Sequence, residues 1–123
     1  MKFTLESSSR VNLIRAYSAA EVRVGEQSVR RSCIVTADAL ITDWEPLSFA
    51  EFSAAHLEPL LALQPELVLL GTGPTQRFPS AALRSAFTAR GVGLEAMDLG
   101  AACRTFNILV QEERRVAAAL FFI

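Results

Sequence analysis

An α/β (α+β) fold is predicted by three features of this 123-residue sequence. The first is the stretch Glu66 to Gln76, ELVLLGTGPTQ, in which a continuous Val/Leu run stops at Gly71-Thr72-Gly73-Pro74. That is the pattern of a strand buried on both faces and ending in a sharply turning loop. The second is the region that follows it, where two helical stretches and two further apolar strands alternate as in a βαβαβ layer. The third is the apolar/polar alternation of residues 11 to 43, which reads as an antiparallel β meander. The expected architecture is an N-terminal meander packed with or extended by the C-terminal βαβαβ layer, in a single three-layer domain over residues 1–123.

Within the meander, Val11, Leu13, Arg15 and Tyr17 point one way and Asn12, Ile14 and Ala16 the other. Glu21 to Val24 runs into a hairpin turn at Gly25-Glu26-Gln27, and Val29 to Thr36 returns from it. Ala37-Asp38 makes a second turn, and Ala39 to Trp44 is a short strand ended by Glu45-Pro46.

The next helical region has two starts. Ser48 and Glu51 have capping-box spacing, with Leu47 placed to staple onto Phe52, and Ser53 is the other start. Because an interior proline costs a helix about 3 kcal/mol, the expectation is a short turn at 49 to 53 and a main helix at 54 to 63. Pro59 then either kinks that helix or sits in its early turns. The apolar face is Leu57, Leu60 and Leu61.

A central strand at 66 to 70 follows, and Pro79-Ser80 opens a helix to about Ala89, closed by Arg90 and a Gly91 cap. Leu94 to Met97 is a short inner strand. Asp98 caps a helix over 99–111 whose Leu99, Ala102, Cys103, Phe106, Leu109 and Val110 recur at helical spacing and face the sheet. Val116 to Phe122, apolar almost throughout, closes the sheet as a central or covered strand.

Composition removes several classes of function. The sequence is 51% hydrophobic and 20% charged, which is incompatible with disorder, and 12 Lys+Arg against 13 Asp+Glu leave no basic footprint for nucleic acid. No segment approaches the length of a transmembrane span, and MKFTLESSSR lacks the apolar core of a signal peptide. The expected location is the cytoplasm. Cys33 and Cys103 lack metal-ligand spacing and read as reduced buried thiols.

Where chemistry could sit follows from topology, since ligands of open α/β sheets occupy the crevice beyond the carboxyl ends of the strands. Two such ends are visible, one leading into Gly71 to Gln76 and one leading through Asp98 into a helix start. If their strands are neighbours, the Gly71, Thr72 and Gly73 amides, the Thr72 hydroxyl, Gln76 and the amides after Asp98 converge on a concavity suited to a small anion. Arg104 or Arg77 would supply the counter-charge. Cys103 and Asn107 lie on the same helix, so the candidate pocket comprises Gly71, Thr72, Gly73, Gln76, Asp98, Cys103, Arg104 and Asn107.

Each of these residues has a structural reading beside the functional one. Gly71 and Gly73 serve equally to permit a positive φ and close packing. Arg104 and Asn107 serve equally to tie down neighbouring backbone, with loop carbonyls or Asp43 as partners for the arginine. Gly-Thr-Gly-Pro is neither a phosphate-binding Walker loop nor a dinucleotide fingerprint, so no cofactor is called for. Cys103 falls on the buried stripe, and His56 is the one histidine, so no nucleophile–base pair or other complete catalytic set is present. Acidic residues and cysteines do not cluster as metal ligands. Phe49, Phe52, Phe78 and Phe121-Phe122-Ile123 are candidates for an exposed apolar patch, the last three being alternatively the end of a core strand.

Several blocks in order carry a family resemblance: Gly71-Thr72-Gly73, Gln76, Pro79, Gly91-Val92-Gly93-Leu94-Glu95-Ala96-Met97, Ala101 to Leu109 and Val116 to Leu120. Together with the looser Ile41-Thr42-Asp43-Trp44, they resemble a group of small Mth-type domains. That group includes mitochondrial complex I assembly factor 3, the adipogenesis-associated Mth-type domain protein and many short prokaryotic proteins of unknown function. Phe106 departs from the tyrosine common in that group. The resemblance implies a non-enzymatic binding or assembly domain acting on a protein partner. A small-anion pocket or an unrecognised enzyme is the alternative.

Overall fold

The computed structural model describes residues 11–123. Their strands form two sheets. A small antiparallel sheet contains β1 (Ile14–Tyr17), β2 (Val22–Val24) and β3 (Gln27–Val29) in that order. A second, five-stranded sheet is formed by β4 (Cys33–Val35), β5 (Leu40–Ile41), β6 (Leu67–Gly71), β7 (Gly93–Met97) and β8 (Val116–Leu120), in the order β5-β4-β8-β6-β7. β6 pairs in parallel with both β7 and β8, and β8 pairs antiparallel with β4. Among the described residues three α-helices stand beside the strands: α1 (Glu58–Leu61), α2 (Ala81–Ala89) and α3 (Leu99–Gln111).

The expected meander therefore divides. The Val29 to Thr36 strand breaks into β3 and β4 across Arg30 to Ser32, so the first three strands lie against the larger sheet while β4 and β5 extend it. Both outcomes were open from the sequence, and both occur.

The layers follow from the crossovers. β6 connects through α2 to β7 on one side, and β7 connects through α3 back across β6 to β8 on the other. Crossovers of one hand running in opposite directions put their helices on opposite faces. Alternation along the strands agrees: Leu69, Ala118 and Leu120 pack with Leu99, Ala102, Cys103, Phe106 and Val110 of α3 and with Val22, Val24 and Val29 of the small sheet. Val68, Leu70, Ala117 and Ala119 pack instead with Leu83 and Phe87 of α2, and with Trp44, Phe52, Leu60 and Phe121. Small alanines in β8 let both outer layers approach closely.

Four local expectations are corrected. The main helix at 54 to 63 is absent; 3₁₀ turns at Phe49–Glu51 and Ala54–His56 precede α1, which begins with Pro59 in its first turn. Pro59 is tolerated there because a first-turn N–H has no intrahelical partner to lose. The capping box is not at Ser48 but at Ser53, whose N–H donates to His56 Nδ1 at 3.0 Å. β7 is not an inner strand, for it forms an edge of the larger sheet. Finally, β1 does not alternate as read, because its pairing with β2 shifts register between Ile14 and Ala16. The extra residue at this bulge puts Ile14 (opposite Val24) and Tyr17 (opposite Val22) on one face, towards α3.

Candidate functional site at the carboxyl ends of the central strands

β6 and β7 are neighbours, and their outgoing chains leave to opposite faces of the sheet, which is the topology that opens a crevice in α/β folds. Gly71, Thr72, Gly73, Gln76 and Asp98 do meet there. The loop after β6 folds over the crevice and bonds to its far wall.

Thr72 is fully buried at the centre of this arrangement. Its N–H donates to Met97 O at 2.8 Å, closing the β6–β7 ladder by one further rung. Its hydroxyl donates to Thr75 O at 2.6 Å, lies 3.2 Å from Met97 O, and accepts from Arg77 N–H at 3.0 Å. The carbonyl of Thr72 accepts from the Arg77 guanidinium at 3.1 Å. Gln76 donates through Nε2 to Ala96 O at 2.8 Å. Since successive carbonyls of a strand point to opposite sides and that of Met97 faces Thr72, the Gln76 amide covers the outer edge of β7.

The start of α3 is occupied in the same way. Leu99 N–H donates to Gly73 O at 2.8 Å, and Ala101 N–H to Asp98 Oδ1 at 2.9 Å. Asp98 is thus a helix cap, as its position after β7 suggested. Gly73 adopts φ +101°, a region costly to a residue with a side chain, and a Cβ there would also stand 3.4 Å from Phe122 O. At Gly71 a Cβ would come within 3.0 Å of both Ala102 Cβ and Leu120 Cδ2. Both glycines therefore have packing reasons to be glycine.

Arg104 and Asn107 lie further along α3 and serve the small sheet. Arg104 donates to the Tyr17 hydroxyl, with its guanidinium 5.9 Å from the ring centroid. The ring covers Gly100, where a Cβ would be 2.8 Å from Tyr17 Cε1. Asn107 grips one residue at both ends, accepting from Ile14 N–H at 2.8 Å and donating to Ile14 O at 2.9 Å. It supplies the pairing that the bulged strand lacks on this side. The Tyr17 partner was not anticipated, because a strictly alternating β1 turns Ile14 and Tyr17 apart.

Cys103 sits in the core beneath α3, and Cys33 is buried in the same cluster. Burial pushes both thiols up to about 12, away from the thiolate a nucleophile requires. His56 accepts at Nδ1 from its own capping turn and stacks on Phe52. Among the described residues no group of three or more His, Cys, Asp or Glu is placed to hold a metal ion, and no helix is long and apolar enough to cross a membrane. Clefts of about 490, 520 and 300 Å³ lie elsewhere; the first is lined by Val11, Leu63, Pro65, Val110 and Val116, beyond the amino ends of β6 and β8.

The apolar candidates divide. Phe52 and Phe121 are core, packed with Trp44 at centroid separations of 5.4 Å, whereas Phe78 and Ile123 are exposed.

Similarity to known proteins agrees with this architecture. A family described as a protein of unknown function (DUF498/DUF598) matches residues 14–121. NADH dehydrogenase [ubiquinone] 1 alpha subcomplex assembly factor 3 of Danio rerio is 31% identical over 117 residues, 94% of this chain and 67% of the relative. A 13 kDa major membrane protein of Francisella tularensis is 35% identical over 66 residues, 54% of each chain, so the chain spans between about half and two thirds of these relatives. Among solved structures, a Xanthomonas campestris protein superposes with a TM-score of 0.82 at 41% identity, covering 90% of this chain and 84% of that one. A Bordetella pertussis protein described as a Mth938-like domain gives 0.79 at 28% identity, covering 89% and 85%.

Proposed function

The chain belongs to the protein family of unknown function DUF498/DUF598, and from that premise we propose that it is a non-enzymatic binding or assembly-type domain acting through protein contacts. One observation carries this reading: the polar groups that would form a ligand site are bonded to the protein's own backbone. The Thr72 hydroxyl, the Gln76 amide, the Leu99 N–H and the Asp98 carboxylate all have partners within the protein. A ligand would have to displace those bonds, and a displaced bond left unmade costs about 1–3 kcal/mol. The raised thiols and the histidine spent on its own turn support the same reading.

The assembly-factor relatives support it in kind, since an assembly factor named for a multisubunit complex works on other polypeptides. The partner here is an unidentified protein, met in the cytoplasm, with no nucleic acid or cofactor involved. Residues 1–123 act in this role as one domain.

The alternative, a small-anion pocket, is favoured by one atom. Arg77 Nε is buried beside the Thr72 loop without a hydrogen-bond partner among the described residues. The test that separates the two is an amide NMR titration of the ¹⁵N-labelled chain with small anions, carboxylates, nucleotides and thiols. The protein-contact reading expects no saturable shift in residues 71–76 and 98–107. A saturable shift confined to them would overturn it.

A further inference from the structure

The surface beside the closed crevice has the properties of a docking site. Leu47, Phe78 and Ile123 are 58%, 68% and 68% exposed, which makes them the most exposed large apolar side chains among the described residues. Ile123 and the chain neighbours of Leu47 and Phe78 meet at one junction. Phe49 N–H donates to Ile123 O at 3.0 Å, joining the 47–51 turn to the chain after β8. Arg77, the neighbour of Phe78, lies with its guanidinium 5.2 Å from the Phe49 centroid. Below this rim Phe49 packs on Phe121 at 5.7 Å and on Phe52 at 6.5 Å, so its ring rests on a buried aromatic floor.

Charge indicates what would cover it. From Ser32 to Gln76 the sequence has no Lys or Arg but six carboxylates: Asp38, Asp43, Glu45, Glu51, Glu58 and Glu66. Glu58 and Glu66 pair with Arg90 and Arg114. Glu45 and Glu51, which bracket Leu47, are exposed and have no cation within salt-bridge distance among the described residues. The two arginines that reach this region are held by backbone carbonyls instead, Arg77 by Thr72 and Arg31 by Trp44. The rim is thus apolar at its centre and anionic at its border.

We propose that this rim, formed by Leu47, Phe49, Phe78 and Ile123 and bordered by Glu45 and Glu51, docks an amphipathic segment of a partner protein whose apolar anchors are flanked by Lys and Arg. The proposal rests on the protein-contact reading above and gives it a location and a partner chemistry. Apolar anchors on the rim supply affinity, and the carboxylates supply orientation and encounter rate.

The test is an amide NMR titration of the ¹⁵N-labelled chain with two synthetic helical peptides that share one leucine face and differ only in carrying lysine or glutamate on the other. The lysine peptide is expected to give saturable shifts at residues 45–51, 77–79 and 121–123. Its affinity should fall about tenfold in Phe78→Ser and several-fold, with a flatter salt dependence, in Glu45→Lys. Both positions are exposed, and neither side chain makes a hydrogen bond or ion pair among the described residues, so the variants keep the fold. Equal binding of the glutamate peptide, shifts confined to another face, or no shift with either peptide would overturn the docking surface while leaving the protein-contact reading in place. Shifts at the rim that grow with protein concentration in the absence of peptide would overturn it in favour of a second copy of the chain. Failure of the underlying reading has a different signature, namely the anion-induced shifts at 71–76 and 98–107 described above.

Discussion

Two regions at the same end of the larger sheet differ in how they use their polar and apolar groups. In the crevice between β6 and β7, hydroxyl, amide and helix-start N–H groups are arranged as a ligand site would arrange them, yet they bond to the protein's own backbone. On the adjacent rim, apolar side chains face solvent, and among the described residues Glu45 has no partner and Glu51 has no cation, accepting instead the Leu47 N–H at 3.2 Å. The comparison teaches that a distinctive motif can be fully spent on holding its own fold. Binding capacity lies where physical demands remain unmet.

Variants can break this contrast, beginning with the crevice. Gly73→Val would force a β-branched residue to φ +101° and press its Cβ on Phe122 O, an expected loss of about 3 kcal/mol in urea unfolding. Thr72→Val removes a buried hydroxyl that serves three partners and leaves Thr75 O unpaired, for an expected loss of about 2 kcal/mol. Asn107→Ala releases both ends of Ile14 and should cost about 2 kcal/mol, with amide exchange accelerating in β1. On the rim, Phe78→Ser should change stability by no more than about 0.5 kcal/mol, as for exposed positions generally. If Gly73→Val and Thr72→Val proved as mild as Phe78→Ser, the contrast would fail.

Titration adds two smaller effects. The folded-state values of Cys33 and Cys103 are raised above the ordinary 9.0, so they contribute stability that is complete below pH 9 and is lost as pH rises towards about 12. Native thiols should resist alkylation at pH 8 and react on unfolding. Glu66 is held below the usual carboxylate range, first by the Arg115 N–H and then by the Arg114 side chain. Its contribution is present above the ordinary glutamate value and is lost as pH falls through the lowered one. Glu66→Gln should therefore flatten the acid limb of a stability–pH curve slightly, because the group is exposed and screened.

How much of this was legible in the sequence depended on whether a feature was local. α3, its Asp98 cap and its buried stripe could be read residue by residue, because cap and periodicity are local signals, and β6 announced itself by apolar continuity. The bulge at Arg15 was not legible: one inserted residue reverses the alternation, and only the partner strand β2 reveals it. The division of the meander at Arg30 to Ser32 and the placement of β7 at an edge are likewise matters of pairing. At the crevice, the sequence grouped Gly71, Thr72, Gly73, Gln76 and Asp98, which do meet, with Cys103, Arg104 and Asn107, which lie in the core or against the small sheet; nor did it show that Gln76 and Thr72 would satisfy Ala96 O and Met97 O, since hydrogen-bond partners twenty or more positions away leave no mark on spacing. The Trp44, Phe52 and Phe121 cluster hid in the same manner, leaving Phe78 exposed where the sequence reading grouped it with Phe49, Phe52, Phe121 and Phe122 as one candidate patch.

The most direct test is one variant measured in two ways: Thr72→Val in urea unfolding and in the lysine-peptide titration. The account predicts a stability loss of about 2 kcal/mol with peptide affinity unchanged, because the crevice holds the fold and the rim does the binding. Unchanged stability together with the loss of an anion or peptide interaction would contradict it.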